Sequence, residues 1–201
     1  SRIRVKMYEN LKKKYPYQIE PKENFLGKEN SGLWVISKGL ITVIDEIEFS
    51  NKMSWDILAS KGAKLYLLNH RGQKFYIINT HMQSDYKKDN SEIRILQYTE
   101  IYEKLILDNY DEEIPLIMCG DLNISSSSHL NKLLNKLNMQ NGPMLGRLQS
   151  SIIGNNSKIL DYILVKPGNF KFQDVKRFIV SIDKNSHLYS DHYPIMGKFT
   201  W

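Results

Sequence analysis

The chain has a single cysteine, Cys119, in 201 residues. No intrachain disulfide is possible, so a packed apolar core must hold the fold. No apolar run approaches the ~20 residues that a membrane-spanning helix needs, and the basic stretch 1–17 lacks the apolar centre of a secretion signal. Internal repeats, long Gly/Ser linkers and abrupt composition shifts are also absent, and the serine run at 125–128 is too short to be a linker. What is present is ordinary: 41% hydrophobic, 25% charged and 11% aromatic residues. Disordered, collagen-like and disulfide-stapled classes are thereby excluded. Chains usually divide only beyond roughly 250–300 residues, so one domain over residues 1–201 is expected. The lone cysteine suits a reducing compartment such as the cytoplasm without fixing the compartment. An excess of 28 Lys+Arg over 22 Asp+Glu gives a net charge of +6. That balance favours anionic partners, either phosphodiesters or acidic lipid surfaces, although the basic residues are scattered apart from Lys12, Lys13 and Lys14.

Periodicity predicts alternating elements. A helix ends near Leu11, ahead of Tyr15-Pro16. Strands are expected over 32–36 and 42–49, the second with Val43, Ile47 and Phe49 facing inward. Residues 63–69 and 74–79 read as a hairpin around His70-Arg71-Gly72-Gln73. From Ser91, placed to cap, to Tyr110 the period becomes helical, with Ile93, Leu96, Tyr98, Ile101 and Leu105 on one face. A strand at 115–118, a leucine-striped helix at 130–137 and strands at 160–165 and 193–199 follow. The pattern indicates a mixed α/β or α+β sandwich.

Polar residues able to carry chemistry gather just past strand ends, where a sheet presents them. These are His81, then Asp121 and Asn123 after Gly120, then Asp161, then Asp191-His192 before Pro194. Singly, each has a structural explanation: a hydrogen-bonded histidine, or an Asp-x-Asn turn in which the side chains bond their own backbone. In order, the segments are Ser31-Gly32-Leu33-Trp34-Val35-Ile36-Ser37-Lys38, Ala59-Ser60-Lys61-Gly62, Asn79-Thr80-His81, Gly120-Asp121-Leu122-Asn123, Leu160-Asp161-Tyr162 and Ser190-Asp191-His192-Tyr193-Pro194. Together they resemble the endonuclease/exonuclease/phosphatase superfamily, which includes deoxyribonuclease I, and look closest to its neutral sphingomyelinases. Arg94 and Gln97 sit where that branch commonly has Arg and Gln.

The resemblance implies a two-sheet, four-layer αββα sandwich and Mg²⁺-dependent phosphodiester hydrolysis. It casts His192 as general base, oriented by Asp161, and Asn123 as a donor to a phosphoryl oxygen. Asp121 would lie near the nucleophile or leaving group, a protonated His81 would stabilise developing charge, and Asp191 would be a metal ligand. The implied substrate is a membrane phospholipid of the sphingomyelin type. Nucleic acid is the runner-up, a non-catalytic binding member is a third reading, and no obligate protein partner is indicated. Tyr189, Tyr193, Phe170, Phe172 and Trp55 could contact a lipid interface. One departure stands out. The superfamily opens with a strand bearing Asn and another ending in Gln-Glu, whose Glu is the main metal ligand, and no Gln-Glu pair occurs here. Glu20, Glu23 and Glu29 follow no apolar strand. The expectation is therefore an N-terminally incomplete domain lacking its first strands, whose activity alone would be low.

Overall fold

A computed structural model describes residues 2–20, 29–85, 88–146, 148–154, 157–181 and 190–201. Glu23 and Tyr189 lie outside these residues. The chain opens with α1 (Arg2–Lys12), followed by β1 (Tyr17–Ile19) and β2 (Val35–Ser37), which pair with each other. Then come β3 (Leu40–Glu48), β4 (Gly62–His70), β5 (Gln73–His81), α2 (Ser91–Ile101), β6 (Leu116–Asp121) and α3 (Ser127–Leu137). Short β7 (Met144–Leu145), β8 (Asp161–Lys166), β9 (Asp174–Ile179) and β10 (Ile195–Thr200) complete it. A five-stranded sheet has the order β3-β4-β5-β6-β8, and a smaller sheet the order β10-β9-β7. This is the mixed α/β, two-sheet layering that the sequence led us to expect.

Alternation along the central strands explains the layering. On one face Ile78, Leu116, Met118 and Leu164 pack against Tyr98, Ile101 and Leu105 and against Leu130, Leu133 and Leu137 of α3. On the opposite face Phe75, Ile117 and Ile163 meet Phe172, Ile195 and Phe199 of the second layer. The β4–β5 turn places Arg71 and Gly72 at φ 54° and 84°, the left-handed pair that a tight hairpin requires. Ser126 caps α3 by accepting the His129 N–H, and Asn138 ends it at φ 51°.

Several expectations are corrected. In β3, Val43 is exposed and does not share the core face of Ile47, because the register shifts between Val43 and Asp45, and a bulge reverses which residues face the core. The helix starts at Ser91 rather than being capped by it, and Asp89 accepts both the Ser91 N–H and its hydroxyl. Leu96 is exposed, whereas Arg94, Gln97 and Glu100 are buried. α2 thus turns polar groups inward, which hydrophobic periodicity cannot register. Its last turn continues as a π-helical segment over Tyr102–Ile106. The strands β1, β7 and β9 carry too weak a pattern to be read from sequence.

Gly120 sits at φ 136°, and a Cβ there would collide with the Thr80 carbonyl oxygen on β5. Neither backbone can yield without breaking the parallel β5–β6 pairing. Gly120→Ala should therefore destabilise the protein by roughly 2–5 kcal/mol, read as a fall in the urea midpoint. An unchanged midpoint would mean that the two strands separate easily.

Candidate functional site

The inward row of the five-stranded sheet runs apolar through Phe75, Ile117 and Ile163 and then turns polar. His81 is in register with Asp121, and Asp121 with Asp161. Three chemically active side chains thus stand abreast on β5, β6 and β8, facing the same way because residues level across strands share a face. His81 Nε2 lies 3.5 Å from Asp121 Oδ2, too far for a strong hydrogen bond.

His192 comes from the segment before β10, and its Nδ1 lies 2.7 Å from Asp161 Oδ2. A bridge between Ile152 and His192 anchors that segment. Ser151 clasps both partners: its Oγ accepts the Leu160 and Asp161 N–H groups at 2.9 and 3.3 Å, while its carbonyl accepts the Tyr193 N–H at 2.7 Å. Asp121, Asp161 and His192 each bring one ligand atom to within 4.8 Å of the others. Asp191 is exposed and stands outside this group. Its backbone carbonyl accepts the Ile153 N–H.

Asn123 adopts a left-handed φ of 52°, which asparagine tolerates better than most residues. Its N–H donates to Asp121 Oδ1 at 2.8 Å and its side-chain amide to the Met82 carbonyl at 3.0 Å. The Asp-x-Asn segment is therefore a turn, and that turn holds Asn123 at the site. The Met82 carbonyl also accepts Lys61 Nζ at 2.9 Å. Lys61 in turn lies 3.0 Å from Asp56 Oδ2, and Asp56 accepts the Ser84 N–H and hydroxyl at 2.9 and 3.0 Å. The Gln83 N–H donates to Gln97 Oε1, and Arg94 Nη1 donates to the Gln83 carbonyl. Arg94 and Gln97 thus fix the loop after His81.

Electrostatics separates the roles. Burial and the adjacent Asp161 charge raise the Asp121 carboxyl to about 6. Burial and the Lys61 ammonium push His81 down to about 4. That environment disfavours the imidazolium expected of His81 at neutral pH. For His192, burial alone would lower the pKa, but the Asp161 bond and the charges of Asp161, Asp121 and Asp191 outweigh it and raise it.

Comparison with known proteins gives no matching family model. The chain is 27% identical over 229 aligned residues to sphingomyelinase C 2 of Leptospira interrogans serovar Lai, covering 95% of this chain and 37% of that protein. Its fold matches sphingomyelinase C from Streptomyces griseocarneus with a TM-score of 0.76 at 20% identity, over 98% of this chain and 81% of that one. The chain has a deoxyribonuclease I-like fold and resembles sphingomyelinases in sequence. Another structure of the same fold, a beta toxin variant of Staphylococcus aureus with bound magnesium ions, gives a TM-score of 0.77 at 21% identity, over 98% and 82% of the two chains. The chain spans little more than a third of the length of the curated relatives it matches. The sequence pointed to the residues at the rim but not to Asp56, Lys61 and Ser151 as parts of the site. Lys61 carried a signal, since Ser60-Lys61-Gly62 belongs to the motif series, whereas Ser151 carried none.

Proposed function

We propose that the protein is a Mg²⁺-dependent phosphodiesterase that cleaves the head group of a sphingomyelin-type phospholipid. The observation that carries the reading is the Asp121–Asp161–His192 group beside His81. Two carboxylates close enough for one to raise the other form a site that a divalent cation relieves. Oxygen donors with one imidazole suit Mg²⁺ better than a thiophilic metal. Asp121 and Asp161 would hold the ion, with Asp191 near enough in sequence to add a water-mediated contact. Bound Mg²⁺ neutralises phosphoryl oxygens and acidifies water.

The chain's own groups do the rest. Asp161 fixes the His192 tautomer, leaving Nε2 to take a proton from the attacking water. Asn123 keeps one amide hydrogen for a phosphoryl oxygen while the other binds Met82. Neutral His81 would donate its single N–H toward the leaving oxygen.

A lipid substrate is favoured over nucleic acid by the 3₁₀ turn Ser54–Leu58. Trp55, Ile57 and Leu58 are 68%, 52% and 54% exposed, while Asp56 between them reaches back to Lys61 at the site. An apolar tip tied to a catalytic rim suits a membrane interface better than a phosphate backbone. Trp55→Ser with Ile57→Ser should slow hydrolysis of sphingomyelin vesicles by about tenfold, since each lost apolar contact weakens interfacial partitioning. A soluble chromogenic phosphodiester should be cleaved as before. Equal slowing of both substrates would refute the membrane role.

The deciding experiment uses the product of the whole reading frame. Phosphocholine release from sphingomyelin vesicles and nicking of plasmid DNA are measured with Mg²⁺ and with EDTA. Release that requires Mg²⁺ supports the proposal. Faster DNA cleavage transfers the substrate to nucleic acid, and no turnover of either favours a binding member. Mg²⁺ should also raise the melting temperature, by more above pH 6 than below, because Asp121 must lose its proton to bind the ion. Asp121→Asn should abolish that pH-dependent shift, and a shift that persists would move the ion elsewhere.

A further inference from the structure

The second layer carries a charge where its pattern calls for an apolar side chain. Alternate burial turns Val175, Arg177 and Ile179 of β9 inward, yet the middle one is arginine. Arg177 is only 4% exposed. Its Nε donates to the Ile163 carbonyl on β8 at 2.6 Å, which leaves the Nη1/Nη2 edge pointing away from that bond. Among the described residues, no carboxylate pairs with it and no other hydrogen bond engages its guanidinium. Burial lowers its pKa with no opposing anion. A desolvated cation without a partner is costly, and such groups are normally paired.

The missing partner has room. A cleft of about 530 Å³ lies against Arg177, within the range of small-molecule sites. Val165, Phe170, Phe172 and Val175 form its apolar wall, Lys171 and Gln140 stand at its polar side, and no Asp or Glu lines it. It opens between the two sheets at the far end of β8, four residues from Asp161 and so roughly 13 Å away. It is therefore separate from the hydrolytic site.

We propose that this cleft binds a medium-chain fatty-acid carboxylate, its head on the Arg177 guanidinium and its tail against Phe170, Phe172 and Val175. Three observations select this class. The free edge of a guanidinium matches a planar carboxylate with two parallel bonds. The acid-free lining accepts a negative charge, with Lys171 nearby. The aromatic and branched wall rewards an apolar tail, which a bare inorganic anion does not have.

The test is calorimetric titration of the protein with decanoate below its micelle-forming concentration, beside decanol and inorganic phosphate. Saturable one-to-one binding of decanoate is expected, with decanol and phosphate at least about tenfold weaker because each lacks one half of the recognition. Arg177→Met should weaken decanoate by a similar factor. Gly142→Ala provides a variant that keeps the arginine, since a Cβ there would collide with Nη1 and push the guanidinium aside. It too should weaken decanoate while leaving phosphodiester hydrolysis unchanged, and it decides the matter should Arg177→Met fail to fold. The proposal is overturned if decanoate does not bind, if decanol or phosphate binds as well, or if Gly142→Ala binds like the parent.

Discussion

Replacing His192 by alanine should lower phosphodiester hydrolysis by about 10²–10⁴-fold, the range for loss of a general base, with the fold retained. His192 sits at the rim with its side chain 23% exposed, and its main side-chain tie is the 2.7 Å bond to Asp161. The neutral-pH melting point should therefore move little. Linkage fixes where a stability cost would appear. The folded-state pKa of His192 is raised, so its contribution is fully present below the unfolded value and fades as pH climbs through the folded one. The alanine variant should lose stability mainly in acid. Asp161→Asn tests the pair from the other side. It removes the Asp161 charge that helps raise His192 and leaves at most a weaker, neutral hydrogen bond, so the acidic limb of the rate profile should shift to lower pH even as the maximal rate falls. A variant that is slower with an unmoved limb would show that another group titrates.

Lys61→Met should cost about 3–5 kcal/mol of stability, the range for breaking a buried ion pair. The Lys61 and Asp56 side chains are only 7% and 14% exposed. Without the ammonium, Asp56 keeps its two bonds from Ser84 but loses its counter-charge. The pKa of Asp56 is lowered: burial opposes this, but the Ser84 bonds and Lys61 prevail. Its stabilisation is present above the unfolded carboxyl value and lost as pH falls through the folded one, so the cost of Lys61→Met should shrink in strong acid. Lys61→Met combined with Asp56→Asn should recover part of the loss, and the cycle of denaturation midpoints measures the coupling. Activity should fall as well, because the Met82 carbonyl that Lys61 shares with Asn123 would lose one of its two donors. If the single variant is as stable as the parent, the pair is structurally idle and the loop after His81 is held by Gln97 and Arg94 alone.

The parts of the molecule legible in advance were those with local signatures. The Arg71-Gly72 turn, the leucine stripe of α3 and the polar ends of β5, β6 and β8 each follow from a few neighbouring residues. What escaped depends on distant partners. Periodicity places Leu96 in the core and not Arg94, yet Arg94 is buried with its Nη1 held by the Gln83 carbonyl and the Asp85 carboxylate and its Nε without a partner. Val43 was assigned the wrong face because a bulge is set by pairing with β4, not by β3 itself. Ser151 has nothing local to mark it, since its role is to join two segments that meet only after folding. The downward push on the His81 pKa is equally hidden, because it comes from burial and from Lys61, twenty positions earlier in the chain.

The register of β5, β6 and β8 has a consequence for how the protein can fail. Because side chains alternate with a period of two, sliding either neighbour by one residue past β6 would turn its active group to the helix-covered face in one step. No intermediate alignment keeps a weakened version of the row. Specific activity in a refolded preparation should therefore report the fraction of molecules with the correct alignment, as an inventory rather than a gradation. Partial recovery should appear as fewer fully competent molecules with an unchanged Michaelis constant.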